Sequence, residues 1–398
     1  MFRILKVLLL VPFYYPTPNA AAVRAIAFAK YFSREGAEVE VMTSQTSDVP
    51  TPSSHNGVPI TVVDSYEKIR FSHDPISSLT WIPRVIRELR KRITMSNPDV
   101  IMTSTPSPFL AFEGNLACKK LKIPIVFDVR DTWLLSSLTH KGRFNNYLKR
   151  RIEGQCCWGA KKVLIAAPFL RDHLIWDHSL PNDRIVDALN GADLEEFDIK
   201  ITPSYDIVYL GQPSILYDLE RVFQAYAYLV KQRPSTTIRH IGWVDTDYAH
   251  HLEKVVSDLG LADNIQFMPK LPHNDIPRIL ASARIGVASQ AVKDILKVSI
   301  PMKIYEYFAA GLPIALLGSP ADCEMRRLWQ TTQAGVYESD PKRLADRLTE
   351  MLTDEKMRAS YVDMARKASL RYDRKTVARK VYYEVLIPLV EKRKAAAQ

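Results

Sequence analysis

The 398-residue chain is 47% apolar and carries a formal charge of +10, enough length for two hydrophobic cores because single cores stop growing at roughly 250 to 300 residues. The excess charge is divided evenly between residues 1–200 and 201–398, so no basic arm or domain marks a nucleic-acid binder, and a diffuse positive field suits anionic small substrates. Four cysteines without a CxxC pair argue against a disulfide framework or a zinc site and for a reducing, cytoplasmic compartment, and no uninterrupted apolar run reaches the roughly 18 residues of a membrane span.

The run ILKVLLLVP, from Ile4 to Pro12, lies beside Arg3 and Lys6 but has no small-residue cleavage site and leads straight into Pro-rich sequence. It reads as a buried first strand, not a signal peptide. A helix from Ala21 to Glu35 follows, then the strand AEVEVMTS, a helix from Trp81 to Thr94, the strand PDVIMTS, a helix ending at Leu121 and the strand IPIVFDVRD. The order βαβαβ predicts a parallel sheet with right-handed crossovers. Pro98 and Pro124, just ahead of strands, end the preceding helices. In the helix at 81–94, Trp81, Ile82, Val85, Ile86, Leu89 and Ile93 share one side, flanked by Arg84, Arg87, Arg90, Lys91 and Arg92. This is the pattern of a core-packed helix with a solvated basic face; a helix resting on anionic lipid at the inner face of a membrane has the same pattern.

A second series begins after the polar stretch Asp198 to Tyr205. It runs DIVYLG, a helix from Asp218 to Gln232, TTIRHIGWV, a helix from Asp247 to Leu259, NIQFMPKL, a helix from Asn274 to Ser282, RIGVASQ, a helix from Pro301 to Ala310, and PIALLGS, with amphipathic helices from Pro341 to Glu391. The expected organisation is a Rossmann-like domain over 1–199, a second over 200–375, and a C-terminal helix over 376–398 that packs back on the first. Doubly wound sheets place ligands outside the carboxyl ends of their strands, so the active site is expected in a cleft between the two.

The segment KVSIPMKIYEYFAAGLPIALLG, from Lys297 to Gly318, carries the most chemistry. Ser299 is read as an N-cap, Pro301 falls in the first turn, and Gly311 with Pro313 stops the helix. A short helix between two strands offers unpaired amides and the positive end of its dipole, an anion site suited to a diphosphate, and Lys303 adds a cation in the same turn. Glu306, three residues on, shares that face, and its carboxylate matches the vicinal hydroxyls of a ribose. An ordinary helix salt bridge between the two is the competing reading. Asp245-Thr246-Asp247 spells a metal-nucleotide DxD but opens a helix, where such residues serve as caps. Adjacent His250 and His251 point to different faces and do not make a shared ligand set with Glu253.

The string SIPMKIYEYFAAGLPIAL resembles the donor-binding signature of glycosyltransferase family 4, Ser-x-Pro-x-Lys-x-x-Glu-Tyr-x-Ala-x-Gly-x-Pro. The segments FYYPTPNAAAVRAIAFAKYFSREGAEVEVMTS, FDVRDTW, ALNGADLEEF, DIVYLG and DPKRLADRLTEMLTDEKMRASYVDMARKASLRYD are similar to further stretches of that family, so the likeness covers nearly the whole chain. It implies an α/β protein of the GT-B architecture, two Rossmann-like doubly wound domains facing a central cleft. The implied activity is retaining transfer of a sugar from a nucleoside-diphosphate donor to an acceptor hydroxyl on a carbohydrate or lipid-linked glycan, in surface polysaccharide or glycoconjugate synthesis, without cofactor or metal.

The resemblance implies that Glu306 holds the donor ribose and that Lys303, Lys297 and the amides near Ser299 hold the phosphates beside Gly211. The family's other glutamate falls at Val298, so a carboxylate for the sugar hydroxyls must come from elsewhere, such as Asp294. Its basic pair after Gly211 falls at Gln212 and Tyr217. On the acceptor side the likeness points to Asn19 and Ala20, which replace a Gly-Gly, with Arg24 as an anion binder, and to Trp133. Arg130 stands where relatives have a histidine, with Asp131 after it, and both are expected near the reacting centre with Lys303. An epimerase of the same fold and a catalytically silent partner protein are the alternatives.

Overall fold

The computed structural model describes residues 4–17, 19–44, 49–63, 82–104, 114–116, 121–130, 143–199, 201–291 and 300–395. Met1–Asn190 with Arg374–Gln398 form one compact unit and Gly191–Asp373 the other.

The first unit opens with β1 (Lys6–Leu10), α1 (Ala20–Arg34), β2 (Glu38–Thr43), the hairpin β3 (Ser54–His55) and β4 (Val58–Val62), and α2 (Ile82–Ser96). It continues with β5 (Val100–Ser104), β6 (Ile125–Val129), α3 (Arg143–Gly159), β7 (Lys162–Ile165), α4 (Phe169–His178) and β8 (Ile185–Asp187). The sheet order is β3-β4-β2-β1-β5-β6-β7-β8, parallel throughout except between β3 and β4. The central strands are near-continuous apolar runs because both faces are covered. Along β1, Leu8 and Leu10 face a layer made by α2, α3 and α4, while Val7 and Leu9 face α1, following the two-residue alternation of a strand. Leu89 and Ile93 of α2 are fully buried, which seats that helix on the sheet; Trp81 and the side chains of Ile82, Arg84 and Val85 lie outside the described residues. The expected helix ending at Leu121 is described only over 114–116, which is helical.

The second unit contains β9 (Tyr205–Leu210), α5 (Leu219–Gln232), β10 (Ile238–Trp243), α6 (Asp247–Asp258), β11 (Ile265–Pro269), α7 (Ile276–Ala281) and β12 (Ala283–Ser289). Then come α8 (Met302–Ala309), β13 (Ile314–Leu317), α9 (Glu324–Thr332), β14 (Gly335–Glu338), α10 (Pro341–Thr353) and α11 (Glu355–Arg371). The strand order is β11-β10-β9-β12-β13-β14, all parallel. This is the doubly wound order 3-2-1-4-5-6, whose direction reverses between β9 and β12. Asp340 and Asp354 cap α10 and α11, accepting from the amides of Arg343 and Met357 at 2.9 Å each.

Chain passes between units at Asn190/Gly191 and Asp373/Arg374, earlier than the 199/200 and 375/376 boundaries read from sequence. Residues 191–199 join the second unit because Ala192 pairs with Asp373 and its amide donates to the Tyr372 carbonyl at 3.0 Å. After α11, α12 (Arg374–Val381), a π-helical turn (Tyr382–Leu386) and α13 (Ile387–Ala395) complete the first unit. Ala378, Val381, Tyr382 and Leu386 pack with Phe28 and Phe32 of α1. Tyr383 Oη donates to Glu35 at 2.6 Å, and Arg379 pairs with the same carboxylate at 3.0 Å.

Candidate functional site

Four elements of the second unit converge at the reversal of strand order: the carboxyl ends of β9, β10 and β12, and the start of α8. The Tyr307 side chain fixes α8 on the sheet. Its hydroxyl accepts from the Leu210 amide at 2.8 Å and donates to the Val287 carbonyl at 3.0 Å, joining β9 to β12. Only glycine at 286 leaves room for that ring, since a Cβ there would stand 2.6 Å from it. Pro301, not Ser299, occupies the N-cap position of α8 and gives no side-chain cap. Proline has no side-chain acceptor to cap the first turn, and of the amides that follow, that of Ile304 donates to the Pro301 carbonyl at 3.1 Å. Ser299 itself, with Lys297, Val298 and Asp294, lies outside the described residues.

Lys303, in the first turn of α8, is 5% exposed, and its Nζ finds no hydrogen-bond acceptor among the described residues. The ammonium sits 4.0 Å from the ring centre of Tyr209 and 4.2 Å from that of Tyr217, held by cation–π attraction. Tyr217 stands where the resemblance led us to look for a basic residue, and it cradles the cation instead of supplying one. Ser289 links the two tyrosines: its hydroxyl donates to the Tyr217 backbone carbonyl and lies 3.2 Å from Tyr209 Oη. Burial lowers the Lys303 pKa to about 7, against the pull of the Glu306 carboxylate.

Gly211 meets this cation directly. It has φ +145°, and a Cβ there would lie 2.7 Å from Lys303 Nζ. Gly242, at φ +99°, lets β10 approach so closely that its own Cβ would stand 3.0 Å from the Gly211 carbonyl carbon. His240 completes the support: its Nε2–H donates to the Gly211 carbonyl at 3.0 Å. Burial drives the His240 pKa down to about 3, with the Lys303 charge adding to the fall against the bond to Gly211. The ring is neutral at any working pH, so it orients backbone without adding charge. Glu306, one turn beyond Lys303, is buried, with Oε1 4.0 Å from His273 Nδ1; His273 Nε2 lies 3.6 Å from Glu196. His240, Gly242, His273 and Ser289 were not singled out from sequence, because each acts through a neighbour distant along the chain.

The acceptor-side residues resolve differently. Arg24, read as an anion binder, is corrected to an internal tie. Nε and Nη2 grip Asp128 at 3.0 and 2.7 Å, Nη2 also reaches the Ala188 carbonyl at 2.6 Å, and Nη1 meets the Leu189 carbonyl and Asn190 Oδ1 at 3.3 Å each. All five N–H groups of the guanidinium are thereby engaged. Asn19 is the N-cap of α1, accepting from the Ala22 amide at 2.8 Å, and Ala20 is the first helical residue. Arg130 follows the carboxyl end of β6 and is half-buried. Asp131 and Trp133 lie outside the described residues. In the DxD, Thr246 caps α6 by accepting from Ala249 at 3.1 Å, and Asp245 pairs with His250 at 2.7 Å. His251 turns to Glu220 and Glu253 to Trp243, so these histidines and Glu253 do not converge.

The family Glycosyltransferase Family 4 matches residues 21–196, and the family Glycosyl transferases group 1 matches residues 192–368. The chain belongs to glycosyltransferase family 4. As a member of that family it is a glycosyltransferase, and its two parallel-sheet α/β units have the GT-B fold of several solved structures. HepE of Anabaena in complex with UDP-glucose shares 18% identity over 96% of this chain and 99% of its own, with a TM-score of 0.71. A glycosyltransferase of Rickettsia africae shares 15% identity over 97% and 99%, also at 0.71. WaaG, a glycosyltransferase involved in lipopolysaccharide biosynthesis, shares 15% over 95% and 98% at 0.67. No curated protein sequence matches. No helix among the described residues is long and apolar enough to cross a membrane.

Proposed function

We propose that the second unit binds the diphosphate of a nucleoside-diphosphate sugar at Lys303 and Gly211, and that the enzyme transfers the sugar to an acceptor hydroxyl with retention of anomeric configuration. The observation that carries this reading is the Lys303 ammonium: buried, without an acceptor among the described residues, and pressed against a glycine that no other residue can replace without displacing it. A buried charge left so is costly unless a ligand supplies its counter-charge. Two phosphates at the start of α8 supply it, helped by the oriented amides of that helix. UDP-glucose bound to HepE, a protein of the same fold, supports a uridine nucleotide as the first donor to test.

In this reading the bond from the anomeric carbon to the phosphate oxygen breaks and a bond to the acceptor oxygen forms on the same face. The acceptor proton passes to the departing phosphate oxygen, so no paired acid and base is needed. Charge accumulates on the leaving diphosphate, where Lys303 and the helix amides stabilise it most. No metal is needed for that task. Glu306 accepts from the ribose hydroxyls and positions the nucleotide, joined at the phosphates by Lys297 and the amides near Ser299. Arg130 and Asp131, at and beyond the end of β6, orient the acceptor hydroxyl. A carbohydrate or lipid-linked glycan in surface polysaccharide synthesis fits a cytoplasmic enzyme with a basic helix able to touch anionic lipid.

Calorimetry with UDP and a panel of nucleotide-sugars tests the reading. One donor is expected to bind the wild-type chain, and Lys303→Met is expected to weaken that binding about 10- to 100-fold, the worth of a charged hydrogen bond of about 1.5–3 kcal/mol. Equal binding by both proteins sinks it, and isomerisation of free donor without acceptor replaces transfer with epimerisation.

A further inference from the structure

The first unit holds a second cluster of ionisable groups that glycosyl transfer does not use. Glu153 on α3 and His173 and His178 on α4 have side chains 1%, 5% and 3% exposed. Glu153 Oε2 lies 3.4 Å from His173 Nε2 and 3.0 Å from His178 Nε2, and the donor atoms of all three lie within 4.8 Å of one another. We propose that Glu153, His173 and His178 form a binding site for a zinc-class divalent cation that clamps α3 to α4.

Two imidazoles and a carboxylate are a donor set suited to zinc. Metal–ligand bonds of about 2.0–2.2 Å set the edges of a tetrahedron at roughly 3.3–3.6 Å, so the spacings about Glu153 need to adjust by only a few tenths of an ångström. The outer contacts are those of a metal-binding histidine. His173 Nδ1 lies 2.7 Å from Asp177 Oδ2, which holds the proton on Nδ1 and turns Nε2 toward Glu153. His178 is the last residue of α4, so the negative end of the helix dipole lies at the cluster and favours a cation there. Its position is set from both sides. Ser179 takes a left-handed conformation, φ 51° and ψ 35°, to reverse the chain. Trp158 Nε1 donates to the His178 carbonyl at 2.9 Å. Gly154 leaves room for the ring, since a Cβ there would stand 3.1 Å from His178 Nδ1.

The cluster sits in apolar surroundings that include Ile152, Leu170, Leu174 and Leu180, so the cation would be structural. Three protein donors leave a fourth position for water. His173 and His178 are separated by four residues, a spacing zinc ligands use, with Glu153 twenty residues before His173; zinc was sought only among the cysteines and about His250 and His251, which is why no site was expected there.

The test uses the full chain after dialysis against chelator, titrated with Zn(II) or Co(II). The expected result is one metal per chain, visible d–d absorption of tetrahedral Co(II), and a rise in melting temperature that chelator reverses. Glu153→Gln and His178→Ala are expected to abolish the absorption, while His250→Ala/His251→Ala, at an exposed histidine pair, leaves it unchanged. The proposal is overturned if the wild-type chain shows no such absorption and no metal-dependent melting shift, or if the signal follows His250 and His251. Because the wild-type titration needs no variant to fold, either result decides.

Discussion

Arg24 in the first unit and Lys303 in the second are both buried cations, 6% and 5% exposed, and both belong to helices that follow a central strand of a doubly wound sheet. Their surroundings differ in one respect. Every N–H of Arg24 has an acceptor within the protein, from Asp128 and three groups at the end of β8, while Lys303 has two aromatic rings and no acceptor among the described residues. A planar fork suits a permanent, many-toothed tie; a compact ammonium that sheds its proton when desolvated suits a charge whose partner comes and goes. Burial alone does not distinguish structure from function; the count of satisfied donors does.

The largest expected effect is on Arg24. Replacing it with Met leaves the Asp128 carboxylate buried with Ser104 as a remaining donor at 2.9 Å, and losing one partner of a buried pair costs about 3–5 kcal/mol. Denaturant unfolding is expected to show that loss, with donor affinity intact in the molecules that remain folded. Lys303→Met should reverse the pattern: donor binding falls while stability holds or rises, because an uncompensated buried charge is removed. If both variants lose stability alike, the contrast between the two cations fails. Gly211→Ala sharpens it, since the added methyl displaces Lys303 Nζ and is expected to weaken donor binding with Lys303 still present.

Much of this was legible in the sequence, and what was not has physical causes. The apolar runs of β9 to β13 and the helices between them stand out because the strands are buried on both faces. No helix or strand was read over residues 143–187: β7 and β8 are only four and three residues long, too short for a period to register. The segment of α8 announced its lysine and glutamate, but not its cap, because the start of a helix depends on backbone angles that a Ser-x-Pro string leaves open. Arg24 was misread because its partner Asp128 lies 104 positions away. His240 sits inside a strand and looks like core until its bond to the end of β9 is seen.

Acidity offers a graded test. The Lys303 pKa is lowered to about 7 by burial, below its ordinary value near 10.5, so between those limits the unfolded chain holds the proton and the folded chain does not. Stability therefore gains with rising pH from about 7 upward through this group, and the cost of burying the charged form is fully present below it. Donor binding runs the other way, because the diphosphate needs the ammonium. Affinity for UDP is expected to be level below pH 7 and to fall by up to about tenfold per unit above it. Lys303→Met should bind weakly with that slope gone, as calorimetry at pH 6, 7, 8 and 9 would show. An unchanged slope in the variant would assign the proton to another group.

The smallest effect comes from the exposed Asp245-Thr246-Asp247 sequence, and it bears on whether Lys303 carries the diphosphate charge alone. Thr246→Ala removes the hydroxyl that accepts from Ala249 and is expected to cost about 1 kcal/mol as a lost cap. Asp245→Asn releases an ion pair whose aspartate side chain is 86% exposed, where such pairs contribute little. Neither change should alter transfer rate or its insensitivity to chelator. A drop in rate with Asp245→Asn, restored by added divalent metal, would place a second cation on the donor phosphates and end the division of labour drawn between Arg24 and Lys303.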